Sequence, residues 1–391
     1  MNRIIAALVL FLSLNAGAQT ADTIVSFVNF YPGTDIYELE GHSALRIAMP
    51  QGDFAISYGT YDFEQPNFVY RFVKGETDYW VTAVPWQPFV RSYLRSGRRI
   101  VEHRIDMDSA QKQKLIDLVS QNLLPENRTY RYNYVKDNCA TRPLRILELA
   151  LGDSIVLDRP ASDMAGEHSF RTVMKHYHRN YPWYQFGIDL ALGSGIDRRI
   201  DNREKAFAPV VLDSQLPGAT VGGRRLVASS EAINDAAPDS AVAGPTPWYA
   251  GPLAISCLLL LVTIAITVRD LRRRKVTRWF DAALFALFGL AGLLISFLVF
   301  ISVHEATSPN ILLLWLNPFC FIPTVFIWIN RCKIVVVSYQ IVNFVAVIVL
   351  TVLWIAGFQA VNSAFIPLLA CDAFRAISYI YLTIKQLRCH E

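Results

Sequence analysis

The sequence predicts an α+β exported domain followed by an all-α bundle of five transmembrane helices. Three observations carry this reading. The first 18 residues have the form of a secretory signal, the next two hundred mix strand-like and helix-like hydrophobic periods, and everything after residue 248 falls into five long apolar segments. Hydrophobic residues make up 53% of the 391, charged residues only 18%, and the mean hydropathy is +0.28, too apolar for an ordinary soluble chain. The net charge of +4 is small, and much of the positive charge flanks the apolar segments. With no finger or ribbon spacing of cysteines, nucleic-acid binding is set aside.

Residues 1–18 combine Arg3, an apolar run from Ile4 to Leu14 and the small-residue exit Ala16-Gly17-Ala18, which predicts export with cleavage after Ala18. The exported domain is then expected over 19–227. Thr23 to Tyr31 alternates as a strand and is followed by the turn Pro32-Gly33. Gly41 permits close backbone approach, and His42 opens a second strand in which Ala44 and Arg46 alternate with Leu45 and Ile47. Phe54, Ile56 and Tyr58 mark a third strand. An aromatic segment from Tyr61 to Phe72 precedes further strands at Thr77 to Val84 and Arg98 to Ile105, so this half reads as mostly antiparallel sheet.

Asp108 caps a helix over Ser109 to Leu124, with the stripe Leu115, Ile116, Val119 and Leu123. Tyr130, Tyr132 and Tyr134 then alternate up to Asp137-Asn138-Cys139, where the period changes again. Leu144, Leu147 and Leu151 predict a helix that Asp137 or Asn138 caps, with Pro143 tolerated in its first turn. Ala161 to Tyr177 is partly helical and brings His168 and His176, with His178 just beyond. The pattern His176-x-His178 lacks a carboxylate partner, so neither a metal nor a cofactor is expected. Residues 228–247, rich in Ala, Ser, Asp and Pro, read as a flexible linker.

The membrane domain, 248–391, has expected spans at about 249–268, 279–303, 311–330, 334–356 and 364–384, each close to the roughly 20 residues a bilayer requires. Arg269, Arg272, Arg273, Arg274, Lys275 and Arg278 flank one junction, Arg331 and Lys333 another, and Lys385 and Arg388 the C-terminal end. The positive-inside rule makes this side cytoplasmic, leaving loops 304–310 and 357–363 outside with the exported domain. In a bacterium with two membranes this places the protein in the inner membrane, the domain in the periplasm and the C-terminus in the cytoplasm. The outer loop carries His304 and Asn310, with Asn317 at the start of the next apolar run; these are candidates for meeting a lipid head group.

Cys139 is the one cysteine of the six outside the membrane half, so it has no intradomain disulfide partner in an oxidising compartment. Its place at a helix start, beside unpaired backbone N–H groups, favours a thiolate and makes it the candidate nucleophile. Acyl transfer also needs a base. His42 and His103 lie upstream and His168, His176 and His178 downstream, and His42 is best placed because its strand holds the ring at a sheet edge. Glu40, Tyr58 and Asp62 are all available to orient that ring, and the sequence does not choose among them.

A histidine opening a strand, followed by a cysteine opening a helix, resembles the circularly permuted branch of the papain-like superfamily. The stretches Gly41-His42-Ser43-Ala44-Leu45-Arg46, Tyr58-Gly59-Thr60-Tyr61-Asp62-Phe63, Asn67-Phe68, Lys74-Gly75, Asp137-Asn138-Cys139-Ala140-Thr141-Arg142 and the loop from His304 to Asn317-Pro318 are similar to the Lnb-type lipoprotein N-acyltransferases of Bacteroidota. Tyr61 departs from the phenylalanine expected there. The resemblance implies Cys139 and His42 as the catalytic pair; Asn138 and Arg46, close to them in sequence, are further candidates for orienting or lining the site. It further implies a membrane phospholipid as acyl donor and the amine of a diacylated lipoprotein as acceptor. Two readings compete: a membrane-anchored cysteine amidase or peptidase of the cell wall, and a non-enzymatic membrane scaffold.

Overall fold

The computed structural model describes residues 22–161, 164 and 166–388. The expected signal at 1–18 lies outside them. The chain forms two compact units. The first comprises the chain up to Phe72 with Glu76–Tyr177 and Arg199–Gly244, and the second Val73–Gly75, His178–Arg198 and the chain from Pro245 onward.

The first unit is built on a seven-stranded antiparallel sheet. In chain order its strands are β1 (Ile24–Phe30), β2 (His42–Met49), β3 (Gly52–Thr60), β4 (Asp78–Pro85), β5 (Ile100–Ile105), β6 (Thr129–Arg131) and, after three short strands, β10 (Val227–Ala232). Their order in space is β10-β5-β1-β2-β3-β4-β6. Every residue of β1 after Ile24 is buried, as expected of a strand covered on both faces. Val25 and Phe27 face one core with Leu45, Ile47, Ile56 and Tyr58, while Val28 and Phe30 face the other with Ala44 and Ala55. The short strands β7 (Ile155–Val156), β8 (Thr220–Val221) and β9 (Arg224–Arg225) make a separate sheet.

Helices close both faces. The aromatic segment before Gly75, which shows no clear period, forms α1 (Phe68–Lys74), and α2 (Trp86–Arg95) covers the second core through Trp86 and Val90. On the first core lie α3 (Ser109–Leu123) and α4 (Thr141–Leu151). The α3 helix begins as its sequence requires: Asp108 accepts from the Gln111 N–H while the Gln111 side chain accepts from the Asp108 N–H. The unit is completed by α5 (Phe170–Tyr177), then, beyond α6 (Pro182–Ala191) of the second unit, by α7 (Asn202–Lys205) and α8 (Pro209–Gln215).

Two expectations require correction here. The stretch expected as a linker from 228 begins instead as β10, which pairs along β5; Asn234 then accepts from the Ile100 N–H and donates to the Arg98 carbonyl. An open sheet edge recruits backbone irrespective of side-chain polarity, so composition alone misread these residues. Residues 178–198 also group with the membrane helices, because their polar groups are spent there. Gly193 N donates to Ala306 O, Asn310 Nδ2 to Leu190 O, Ala360 N to Asp197, and Asn362 Nδ2 to Asp189.

The second unit holds four helices long and apolar enough to cross a membrane among the described residues. They are α9 (Pro252–Arg273), α10 (Arg278–Phe300), α12 (Lys333–Ile355) and α13 (Phe365–Arg388). The expected span at 311–330 is not a continuous helix. It breaks into 3-10 turns at Ile311–Leu314 and Pro318–Cys320 and one short helix, α11 (Phe321–Phe326). The cause is local. Pro318 cannot donate, and the Asn317 side chain accepts from Phe319 N while donating back to the carbonyl of Leu313. Its two ends are nonetheless far apart, since Ile311 N donates to Gln359 beyond the end of α12 and Asn330 accepts from Arg278 at the start of α10. Irregular backbone at this depth is tolerated when protein surrounds it, and Trp315 and Cys320 are fully buried. Gly292 of α10 makes room, because a Cβ there would come within 2.5 Å of the Asn317 backbone.

Candidate active site

The Asn138 turn sets the position of Cys139. Asn138 Oδ1 accepts from the N–H groups of Ala140 and Thr141, and Nδ2 donates to the carbonyls of Tyr134 and Phe207, each at 2.7 Å. Thr141 Oγ1 in turn accepts from the Asn138 N–H. Of the two capping candidates, Asn138 therefore holds the start of α4. Asp137 serves a different purpose, gripping Arg142 through two bonds and Arg145 through a third. With its amide fully engaged, Asn138 fixes the cysteine turn and does not orient the histidine.

Cys139 is buried, and its sulfur accepts from the Ser43 backbone N–H, the next residue along from His42. Tyr132 donates its hydroxyl to the same sulfur, and the ring of Tyr132 stacks on Tyr79 at 4.4 Å. Gly59, at the end of β3, has φ +95°, and a Cβ on it would lie 3.6 Å from that of Cys139. That corner of the sheet is thereby kept open beside the thiol.

His42 Nε2 lies 2.9 Å from Ser57 Oγ across the β2–β3 pair. Its ring is parallel to Tyr93 of α2 with centroids 6.2 Å apart. None of the three expected orienting groups takes the place Ser57 occupies. Tyr58 faces the opposite core and accepts from Asn122, Asp62 caps its own turn by accepting from Glu64 N, and Glu40 is buried near enough to Cys139 for its charge to act on the thiol. Arg46 is likewise committed to an ion-pair network, with Asp53 at 2.6 Å and Glu102 at 2.9 Å, and lies over the Trp86 ring. His103 pairs with Asp213 at 2.8 Å, and His178, in the second unit, lies 2.8 Å from Gln185.

The electrostatics differ from the thiolate that the helix start suggested. Burial pushes the Cys139 thiol up to about 11, outweighing the N–H and hydroxyl donors that pull the other way. Burial, and then the Arg98 guanidinium, pull His42 down to about 3. At neutral pH the site holds a thiol and a neutral imidazole. Burial thus favours the uncharged form of both groups.

Ser57, Tyr132 and Tyr93 are not singled out as site residues by the sequence. Ser57 occupies the alternate position between Ile56 and Tyr58, and only the register with β2 sets it against His42. In the second unit, Asn310 is buried and bonds Leu190, Leu312 and Gln359, and Asn317 is consumed in capping. His304 packs beside Gly75, whose absent Cβ would lie 3.2 Å from its ring. Of these three, Asn310 and Asn317 are framework groups of the outer loops.

Comparison with known families agrees with the two-part architecture. A family model described as the Lnb N-terminal periplasmic domain matches residues 16–174, and one described as the Lnb transmembrane domain matches residues 245–387. Searches among curated proteins and among solved structures found no match. Two models matched in chain order, one on each part, identify the chain as a member of the Lnb family, a membrane protein that joins a periplasmic domain to a transmembrane domain.

Proposed function

We propose that this protein is a lipoprotein N-acyltransferase in which Cys139 carries the acyl group as a thioester. The observation that bears most weight is the corner shared by a buried thiol and a strand-held histidine, joined through the Ser43 N–H. In the first half-reaction His42 takes the Cys139 proton as the sulfur attacks an ester carbonyl of a phospholipid. The carbonyl oxygen gains negative charge, which the backbone N–H groups of Ser43 and Cys139 are suited to receive. The ester C–O bond then breaks, the lysophospholipid oxygen takes the proton from His42, and the thioester remains. In the second half-reaction the α-amine of a diacylglyceryl-cysteine attacks the thioester, His42 accepts the amine's proton, and Cys139 leaves and is reprotonated.

An α-amine with a pKa of about 7.7–8.0 is partly neutral near pH 7 and needs little activation. Both substrates are anchored in lipid. A site carried on membrane helices therefore replaces a three-dimensional search by a two-dimensional one, an advantage a soluble cell-wall amidase would not need. The orientation of the sequence reading, with the C-terminus cytoplasmic, is supported by the loops 304–310 and 357–363. They share one end of the second unit with residues 189–197, which lie between the two halves of the exported region in sequence. A permuted papain-like arrangement is supported by chain order, His42 on a strand before Cys139 at a helix start.

The test is mass spectrometry of the N-terminal peptide of a reporter lipoprotein, in cells lacking this gene and complemented with wild type, Cys139→Ala or His42→Ala. The amide-linked acyl group should appear with wild type and be lost, by about 10³-fold or more, in both variants. Full acylation with Cys139→Ala would end the thioester mechanism, and full acylation in every strain would end the assignment and turn attention to cell-wall fragments.

A further inference from the structure

We propose that Asn29, Asp213 and His103 form a positioning network for the Cys139 site: they hold the side chain of Ser43, whose backbone N–H faces the sulfur, and thereby fix where that N–H points. The part of this proposal that concerns turnover rests on the acyl-transfer reading above; the hold on the thiol does not.

The need for such a hold comes from the strand itself. β1 pairs with β2 as far as Phe30↔His42, whereas β3 pairs with β2 only from Ala44↔Ser57 onward. At Ser43 the β2 backbone is therefore anchored on the β1 side, and its N–H goes to Cys139 in place of a third strand. A strand end paired along one edge frays easily, and a donor that must meet a developing charge tolerates little displacement.

Side chains supply what the ladder lacks. Ser43 Oγ donates to Asn29 Oδ1 at 2.6 Å, directly across the β1–β2 pair, and Asn29 Nδ2 donates to Asp213 Oδ1 at 3.2 Å. The amide fits only this way round, since turned over it would set its own oxygen against the carboxylate. Asp213 is held in turn. Its Oδ2 accepts from the Tyr31 hydroxyl at 2.7 Å, and its Oδ1 lies 2.8 Å from His103 Nε2, whose other ring nitrogen lies 2.8 Å from Ser230 Oγ. Asn29, Ser43, His103 and Asp213 are all buried, where a satisfied network is rigid and a broken one is costly. The helix that carries Asp213, α8, also reaches the other end of the segment. Val210 N donates to the Glu40 carbonyl at 3.3 Å, and the Val210 side chain lies 3.1 Å from where a Cβ on Gly41 would be. One helix thus holds Glu40 directly and Ser43 through Asn29, and His42 lies between them. His103, a candidate base by sequence, has its use here as a brace of the Asp213 carboxylate.

The experiment uses the full chain in nanodiscs of phosphatidylethanolamine and phosphatidylglycerol, as wild type, Ser43→Ala, Asn29→Ala and the double variant. Ser43→Ala keeps the N–H and removes only the hydroxyl, so it tests the hold without deleting the donor. Two quantities are measured: the rate at which iodoacetamide alkylates the Cys139 peptide at about pH 9, and kcat and KM for acylation of a diacylated lipopeptide. A misaimed N–H withdraws a donor that favours the thiolate, so alkylation should slow about threefold to tenfold in both single variants. The double variant should be no slower than the slower single one, because both break one chain of bonds. kcat should fall about tenfold to a hundredfold with the acceptor KM within about twofold, since the donor acts on the transition state. Alkylation unchanged or faster in Ser43→Ala overturns the proposal, a faster rate being what a loosened core that exposes the thiol would give. Slower alkylation with kcat unchanged would end the link to turnover. Slower alkylation in the variants with no acylation by wild type would count against the acyl-transfer reading and not against the hold on the thiol, and unchanged alkylation with wild-type acylation intact would do the reverse.

Discussion

A cysteine at a helix start and a cysteine enclosed by tyrosines are opposite electrostatic situations, and Cys139 is both. Tyr79, Tyr130 and Tyr132 surround the sulfur, and the cost of placing charge among them raises the thiol to about 11 despite three donors. A raised thiol pKa leaves the protonated, unreactive form dominant below it, so reactivity grows as pH rises. Alkylation of Cys139 by iodoacetamide, followed on its own peptide, should therefore be slow at neutral pH and climb about tenfold per unit without levelling until pH nears 11. A plateau reached by neutral pH would mean that a thiolate is held at rest. His42, drawn down to about 3, stays neutral through the range in which an ordinary imidazole becomes charged. Lone-cysteine arithmetic and helix capping sufficed to single out Cys139. The enclosing tyrosines come from β4, β6 and the turn beyond, and no local pattern announces that they converge.

Among the elements, the broken third crossing departs furthest from its hydrophobic profile. Residues 311–330 are apolar enough to suggest a span, but Pro318 and the Asn317 cap stop the helix. The segment packs against α10 only because Gly289 and Gly292 leave room, the first for the Phe321 ring and the second for the Asn317 backbone. Gly292→Leu should destabilise this unit by about 1–3 kcal/mol, since backbone cannot move aside as a side chain can. The readout is the thermal midpoint of the detergent-purified protein together with its level in membranes. A variant as stable as wild type would show that the Asn317 turn can be displaced without loss. The strands and α3 were legible because alternation, a helical stripe and the Asp108 cap all agreed; α1 was not, because its dense aromatic sequence shows no clear period, and α2, although amphipathic, has no capping side chain to announce its start.

At the scale of the whole molecule, the membrane unit is tied together by a charge that hydropathy treats as a blemish. Arg375 of α13 is fully buried and donates to Asp281 of α10 at 2.5 Å, and to Asp270 at 2.8 Å and Thr267 at 2.9 Å, both of α9. Three helices thus share one guanidinium. Asp270 also accepts from the Thr277 N–H and hydroxyl, fixing the turn between α9 and α10. Arg375→Ala would strand two buried carboxylates and should cost about 3–5 kcal/mol. Denaturant titration in mixed micelles measures it, and Asp281→Asn combined with Arg375→Ala should restore part of the loss. An unchanged titration for Arg375→Ala would show that the three groups are not coupled.

What the sequence determined by itself rests on repetition and on local rules. Two-part architecture, four of the long apolar helices, the main strands, the α3 cap and the Cys139 helix start all follow from periods and neighbours within a few residues, where chain geometry leaves few alternatives. Tertiary structure decided whatever depends on which distant residues meet. Strand register set Ser57 against His42, an open sheet edge turned residues 227–232 into a strand, and loop hydrogen bonds drew residues 178–198 into the membrane unit. These outcomes turn on backbone groups finding partners far along the chain, and a side-chain pattern carries no record of where those partners will be.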